Sequence, residues 1–210
     1  ITWFVFYYLK IWLFPFNLNI DPDVQAITGF TDIRLVAATI ILVLLALFIK
    51  KRSRLMIFGF LWMVVALAPE SSLIPLRDIV AEQRLYLPGV GFTLVIATLL
   101  PDRKWAPFLM LLLLCLTGGT IHRNSDWVSE KALWQDAVKK SPNKWRPFSN
   151  YARALDLAGE KEQAVNFYQK AIGINFNHFE SHHNLANIYA EKGKCVLAIE
   201  EYNIALGLLP

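Results

Sequence analysis

Five apolar runs, each broken by a short polar stretch, fill the first 121 residues; after them the pattern changes. The runs are 1–16, 35–49, 55–68, 85–100 and 106–121. A helix that is hydrophobic all round belongs in a large core or a membrane, and 35–49 and Leu109–Leu116 are apolar on every face. Several runs fall short of the roughly 20 residues a simple span needs, a deficit that flanking residues, tilt or local thinning of the bilayer can make up. Four or five membrane helices are expected.

From His122 onward apolar and polar residues alternate at helical spacing, and the pattern repeats itself. Segments 145–178 and 179–210 align at a period of 34. Tyr151 matches Leu185, Ala152 matches Ala186, Leu155 matches Tyr189 and Gly159 matches Gly193; Ala164, Tyr168 and Ala171 match Ala198, Tyr202 and Ala205. This spacing looks like tetratricopeptide repeats (TPRs), pairs of antiparallel helices that bury their apolar faces by stacking. Small alanines let paired helices approach, aromatics fill between them, and the glycine ends the first helix of each pair. The register extends back through Glu130, Trp134 and Ala137, so a degenerate half repeat is expected at about 129–144, with Arg123–Val128 as a short elbow. The expected fold class is all-α: a polytopic membrane bundle (1–121) followed by a TPR α-solenoid (122–210). The surface beyond Pro210 is expected to be apolar, as though the chain were a piece of a longer protein.

Charge sharpens this picture. The chain is 55% hydrophobic and 18% charged, with a mean hydropathy of +0.38. Residues 1–121 hold ten Lys and Arg against seven Asp and Glu, and residues 122–210 eleven against ten, together the net +4. The excess lies beside apolar runs and says nothing of nucleic acid. Lys50–Arg54 and Asp102–Lys104 carry six of the ten cations in the first half, which places both loops in the cytoplasm. Alternation then puts 17–34, 69–84 and the repeats on the outer face. No Asn-x-Ser/Thr sequon occurs, which favours a bacterial inner membrane, with repeats in the periplasm, over an endoplasmic reticulum membrane with repeats in the lumen.

One outer segment is too charged for a mere connector. Between Pro69 and Pro88 stand Glu70, Arg77, Asp78, Glu82 and Arg84. Charges beside a bilayer are costly and are kept for a task or for one another. One reading is a loop held by a Glu82–Arg84 pair; the other is a segment that grips an anionic headgroup through the arginine fork. The residues assigned to the second reading are Arg84, Glu82, Arg77 and Tyr86.

Other features weigh less. Asp21 and Asp23 could hold a divalent cation or supply a base, or form a turn. Cys115 and Cys195 lie in different halves and are not expected to pair. His178, His182 and His183 cluster, but the turn at His178 argues against a metal, and no cofactor is expected. The first helices of the repeats should present Arg146, Ser149, Arg153, Asp156, Glu180, His183 and Asn187, either as a protein-binding groove or as a solvated face.

Three stretches together resemble a known family, the transmembrane-and-TPR O-mannosyltransferases and their bacterial relatives, multi-span glycosyltransferases of the GT-C type. They are Tyr7-Tyr8-Leu9 with Leu13-Phe14-Pro15 and Asn17 to Asp21; Ala81-Glu82-Gln83-Arg84-Leu85-Tyr86-Leu87-Pro88; and Arg123-Asn124 with Asp126-Trp127, Glu130, Leu133-Trp134 and Ser141-Pro142-Asn143. Gln83 stands where the family usually has Arg, one charge fewer. The resemblance implies sugar transfer from a polyprenyl-phosphate donor to protein Ser/Thr on the outer face, with the repeats binding acceptor or partner. Its catalytic acidic residue would lie upstream of this chain, which alone would be inactive; Glu82 and Arg84 inherit a supporting role. The competing function is a non-catalytic membrane-anchored scaffold. A transporter would want charges inside the spans, and only Lys10 and Arg34 come near.

Overall fold

A computed structural model describes residues 2–23, 33–49, 52–67, 82–100 and 102–209. The described residues are helical, with no strand among them. The chain divides into two compact units, one of residues 1–18 and 24–123, the other of residues 19–23 and 124–210.

In the first unit each expected apolar run is a helix: α1 (Thr2–Leu13), α2 (Ile33–Ile49), α3 (Arg54–Leu67), α4 (Tyr86–Leu99) and α5 (Ala106–Asp126). Their lengths differ in consequence. At 1.5 Å per residue, the 14 residues of α3 or α4 make about 21 Å, short of a bilayer core of about 30 Å. Among the described residues only the helical stretch 103–126 is long and apolar enough by itself to cross a membrane. The other runs are shorter helices. Helix α5 also continues past Ile121 to Asp126, because His122-Arg123-Asn124-Ser125 contains no helix breaker. Helices α3 and α4 pack closely through glycines: Gly91 lies so near Gly59 that a methyl group there would collide with the Gly59 carbonyl.

The second unit is built of helix pairs. Its helices are α6 (Glu130–Lys140), α7 (Trp145–Leu157), α8 (Lys161–Ile174), α9 (Phe179–Glu191) and α10 (Cys195–Leu208). Helices α7 and α9 begin 34 residues apart and end 34 apart; so do α8 and α10. Ser129 caps α6, its hydroxyl accepting from the Ala132 amide at 3.1 Å. Gly159 and Gly193 close α7 and α9 at φ +80° and +69°, the left-handed conformation that favours glycine. Ala164 and Ala198 are buried where helices cross, and Tyr168, Leu155, Leu185 and Ile188 form the core with them. Two ion pairs tie the pairs together, Lys161 with Glu191 and Lys192 with Glu162.

Candidate functional site

The Glu82–Arg84 stretch is a single 3₁₀ turn, Glu82–Leu85, that runs directly into α4. Pro88 fits the first turn of α4, where its missing N–H costs nothing. The turn is pinned from beneath. Leu85 is buried in a cluster with Tyr8 of α1 and Leu67 of α3, and Tyr7, Ile11 and Trp12 pack against it. Trp12 stacks on Phe92 with ring centroids 4.9 Å apart, and the Trp62 indole donates to the Leu87 carbonyl at 2.9 Å. Apolar anchors on α1, α3 and α4 therefore fix the turn.

Above that floor the Glu82 carboxylate meets a cation that its sequence neighbourhood does not contain. Arg123, near the end of α5, stands 3.5 Å from Glu82, both side chains being largely withdrawn from solvent (12% and 14% exposed). Arg84 is half-buried on the same turn, and Tyr86 is 83% exposed at the start of α4. The turn thus brings a carboxylate, two guanidinium groups and a phenol to one end of the apolar helices. Arg77 lies outside the described residues, as do Glu70 and Asp78. Arg123 was not singled out as a site residue from the sequence. The available signal was its position, a cation at the polar end of the longest apolar helix. A guanidinium fork can grip phosphate oxygens bidentately.

In the second unit the expected groove residues take varied places. Arg153 and Glu180 are exposed and paired, Arg153 with Glu130 at 3.2 Å and Glu180 with His178 at 3.0 Å. His183 is exposed between the rings of Phe179 and Tyr202, and Asn187 is half-buried, accepting from the Tyr202 hydroxyl at 2.5 Å. Arg146 is half-buried, 3.8 Å from Asp21. Ser149 is buried and accepts from the Ser181 hydroxyl at 3.0 Å, so it joins α7 to α9 inside the core.

The histidines are occupied too. His182 is buried between Glu201 (2.6 Å) and the Phe176 carbonyl (2.9 Å), and His178 contacts the Ser181 hydroxyl at 2.8 Å. Burial lowers the His178 pKa, His182 and Arg146 add to that, and Glu180 opposes it. No group of three His, Cys, Asp or Glu among the described residues is placed to hold a metal ion.

No family model matches the chain. Curated relatives do. Protein O-mannosyl-transferase Tmtc3 of Drosophila melanogaster is 28% identical over 227 residues, covering 97% of this chain and 24% of that protein. Human protein O-mannosyl-transferase TMTC3 is 27% identical over 168 residues, 75% of this chain and 18% of its own length. Mouse protein O-mannosyl-transferase TMTC1 is 26% identical over 203 residues, 85% of this chain and 22% of its own. The chain spans about a quarter or less of the length of the relatives it matches. Across nearly all of its residues, the chain is similar to the protein O-mannosyl-transferases, the family its three motif stretches resemble.

Proposed function

We propose that this chain is part of a membrane-embedded glycosyltransferase, and that the Glu82–Leu85 turn binds the phosphate of a polyprenyl-phosphate sugar donor. The observation that carries the reading is the Glu82–Arg123 pair, largely withdrawn from solvent, on a turn that also carries Arg84 at one end of the apolar helices. It falls in a chain whose relatives are named for O-mannosyl transfer. Arg84 and Arg123 would meet the phosphate oxygens, and Arg77 belongs to the same proposal. Glu82 would hold the Arg123 fork in position, and Tyr86 would stand beside the lipid chain at headgroup level. Cations fixed at the leaving phosphate favour sugar transfer by stabilising the charge that develops there. The sugar would be mannose-like, the acceptor a protein Ser or Thr on the outer face. That face is periplasmic in a bacterium and lumenal in a eukaryote, and the relatives above come from animals.

A scaffold remains the second reading, because an anchor needs one span and one described helix is long enough. Titration with polyprenyl phosphate in detergent, with thermal melts alongside, separates the two. Arg84→Ala and Arg123→Ala should each weaken binding about ten- to a hundredfold, as expected for a charge-assisted pair. Arg84→Lys, which keeps the charge but loses the fork, should weaken it less. Unchanged binding in both alanine variants, with melts like wild type, would remove the phosphate site and leave the scaffold.

A further inference from the structure

Residues 19–23 pack as part of the second unit, although more than a hundred residues separate them from the helices they touch. Two residues ahead of the segment, Asn17 takes a left-handed conformation (φ 57°) that asparagine tolerates. Asn19 donates its side-chain amide to the Ser141 hydroxyl at 2.8 Å, and that hydroxyl donates to the Asp21 carbonyl at 2.7 Å. Lys144 pairs with the Asp21 carboxylate and also donates to the Pro22 carbonyl at 3.1 Å. Arg146 adds a second cation 3.8 Å from the same carboxylate. Within the segment the Asp21 amide donates to the Asn19 side chain at 3.3 Å, an Asx-type turn. Asn19, Asp21, Pro22 and Ser141 are all buried.

Sequence-remote contacts of this kind are not explained by a turn alone. A turn satisfies its own backbone; here side chains of the helical unit satisfy the backbone carbonyls of Asp21 and Pro22, the Asn19 amide and one oxygen, Oδ1, of the Asp21 carboxylate. Ser141 reads the asparagine and one carbonyl, and Lys144 reads the carboxylate and the next carbonyl. A receptor holds a short peptide in the same manner, by its main chain for affinity and by particular side chains for specificity. We propose that the start of the first full repeat is a peptide site for the sequence Asn-x-Asp-Pro, and that the chain's own residues 19–23 fill it as a tethered ligand. Covalent tethering makes the segment's binding intramolecular, which disfavours a free peptide of similar affinity. An acidic partner segment of the same pattern would then bind only by displacing residues 19–23. The proposal deepens the reading of the repeats as a protein-binding module, and its failure would leave the donor-lipid site untouched.

A fluorescein-labelled peptide of residues 17–25 tests it on the full chain in detergent. The double variant Asn19→Ala/Asp21→Ala, with its own segment disabled, should bind the peptide at least about tenfold more tightly than wild type. Adding Lys144→Glu to that variant should abolish binding. Hydrogen exchange gives a second readout: the Asp21 amide, which donates to the Asn19 side chain, should be protected in wild type and released by Lys144→Glu. Amides of α8 and α9 should stay protected in that variant, which shows that the repeats remain folded. Equal peptide binding by wild type and double variant, or none by either, would overturn the proposal. So would an unprotected Asp21 amide in wild type.

Discussion

Tyr168 shows how much one side chain can carry. Its ring is fully buried in the core of the repeats, touching the alanine and leucine positions that recur at the 34-residue period. Tyr168→Ala should cost about 3–5 kcal/mol, the usual range for emptying a buried aromatic site, as read by chemical denaturation. Its hydroxyl gives an independent check. Burial, with the Asp156 carboxylate second, pushes its pKa from 10.0 up to about 12, while Asn184 and Arg153 pull the other way. The raised folded value means the neutral phenol stabilises the fold at every pH below about 10. Between about pH 10 and 12 the unfolded chain loses this proton while the folded one keeps it, so stability falls, by at most about 1.4 kcal/mol per pH unit. Tyr168→Phe should flatten that part of the profile; an unchanged alkaline slope would show that other groups cause it. Tyr168 could be found from the sequence because a period of 34 marks the same face twice. Ser149 could not be placed as easily. It was expected in a groove and lies in the core, since helical register gives a face but not the depth at which a small hydroxyl sits.

Helices were legible for the same reason: apolar runs and helical periodicity are local signals, and all ten described α-helices fall on segments where the sequence shows one or the other. The packing between them was not. An apolar run says that a helix avoids water but not which neighbour it meets, as α3 and α4 show. What holds these two together is close approach. A methyl group at Gly91 would collide with the Gly59 carbonyl and come within 3.0 Å of the Met63 amide nitrogen, backbone contacts that only backbone movement can relieve. Gly91→Ala should therefore destabilise the α3–α4 pair by about 1–3 kcal/mol, the range for overpacking. Gly173→Ala in α8 is the contrast, because nothing lies within 4 Å of its missing methyl. There the gain in helix propensity should stabilise by about 0.5–1 kcal/mol. Melting both variants in detergent checks the sign as well as the size. If Gly91→Ala melts like wild type, the close crossing of α3 and α4 is not as described.

On the scale of the whole molecule, sequence distance decided what could be read. Glu82 and Arg123 are 41 residues apart, and Asn19 and Ser141 are 122 apart. Neither pair leaves a periodic trace, so each partner was visible only as an isolated polar residue. Loop charge, in contrast, is a property of the whole chain, and it makes the last prediction. Lys50–Arg54 and Asp102–Lys104 are expected in the cytoplasm and the repeats outside it. The structure improves the probe for this test. Ser149 is buried and would label poorly as a cysteine, whereas the chain's own Cys195 is exposed at the start of α10. In a Cys115→Ser background, a membrane-impermeant thiol reagent applied to intact spheroplasts should label Cys195. Adding Arg52→Cys on a Cys195→Ser background should give no labelling until the membrane is opened, since Arg52 is itself exposed in the loop before α3. Labelling of position 52 from outside, with Cys195 protected, would invert the topology. It would also put the Glu82–Leu85 turn on the cytoplasmic side by strict alternation, away from any acceptor on the outer face.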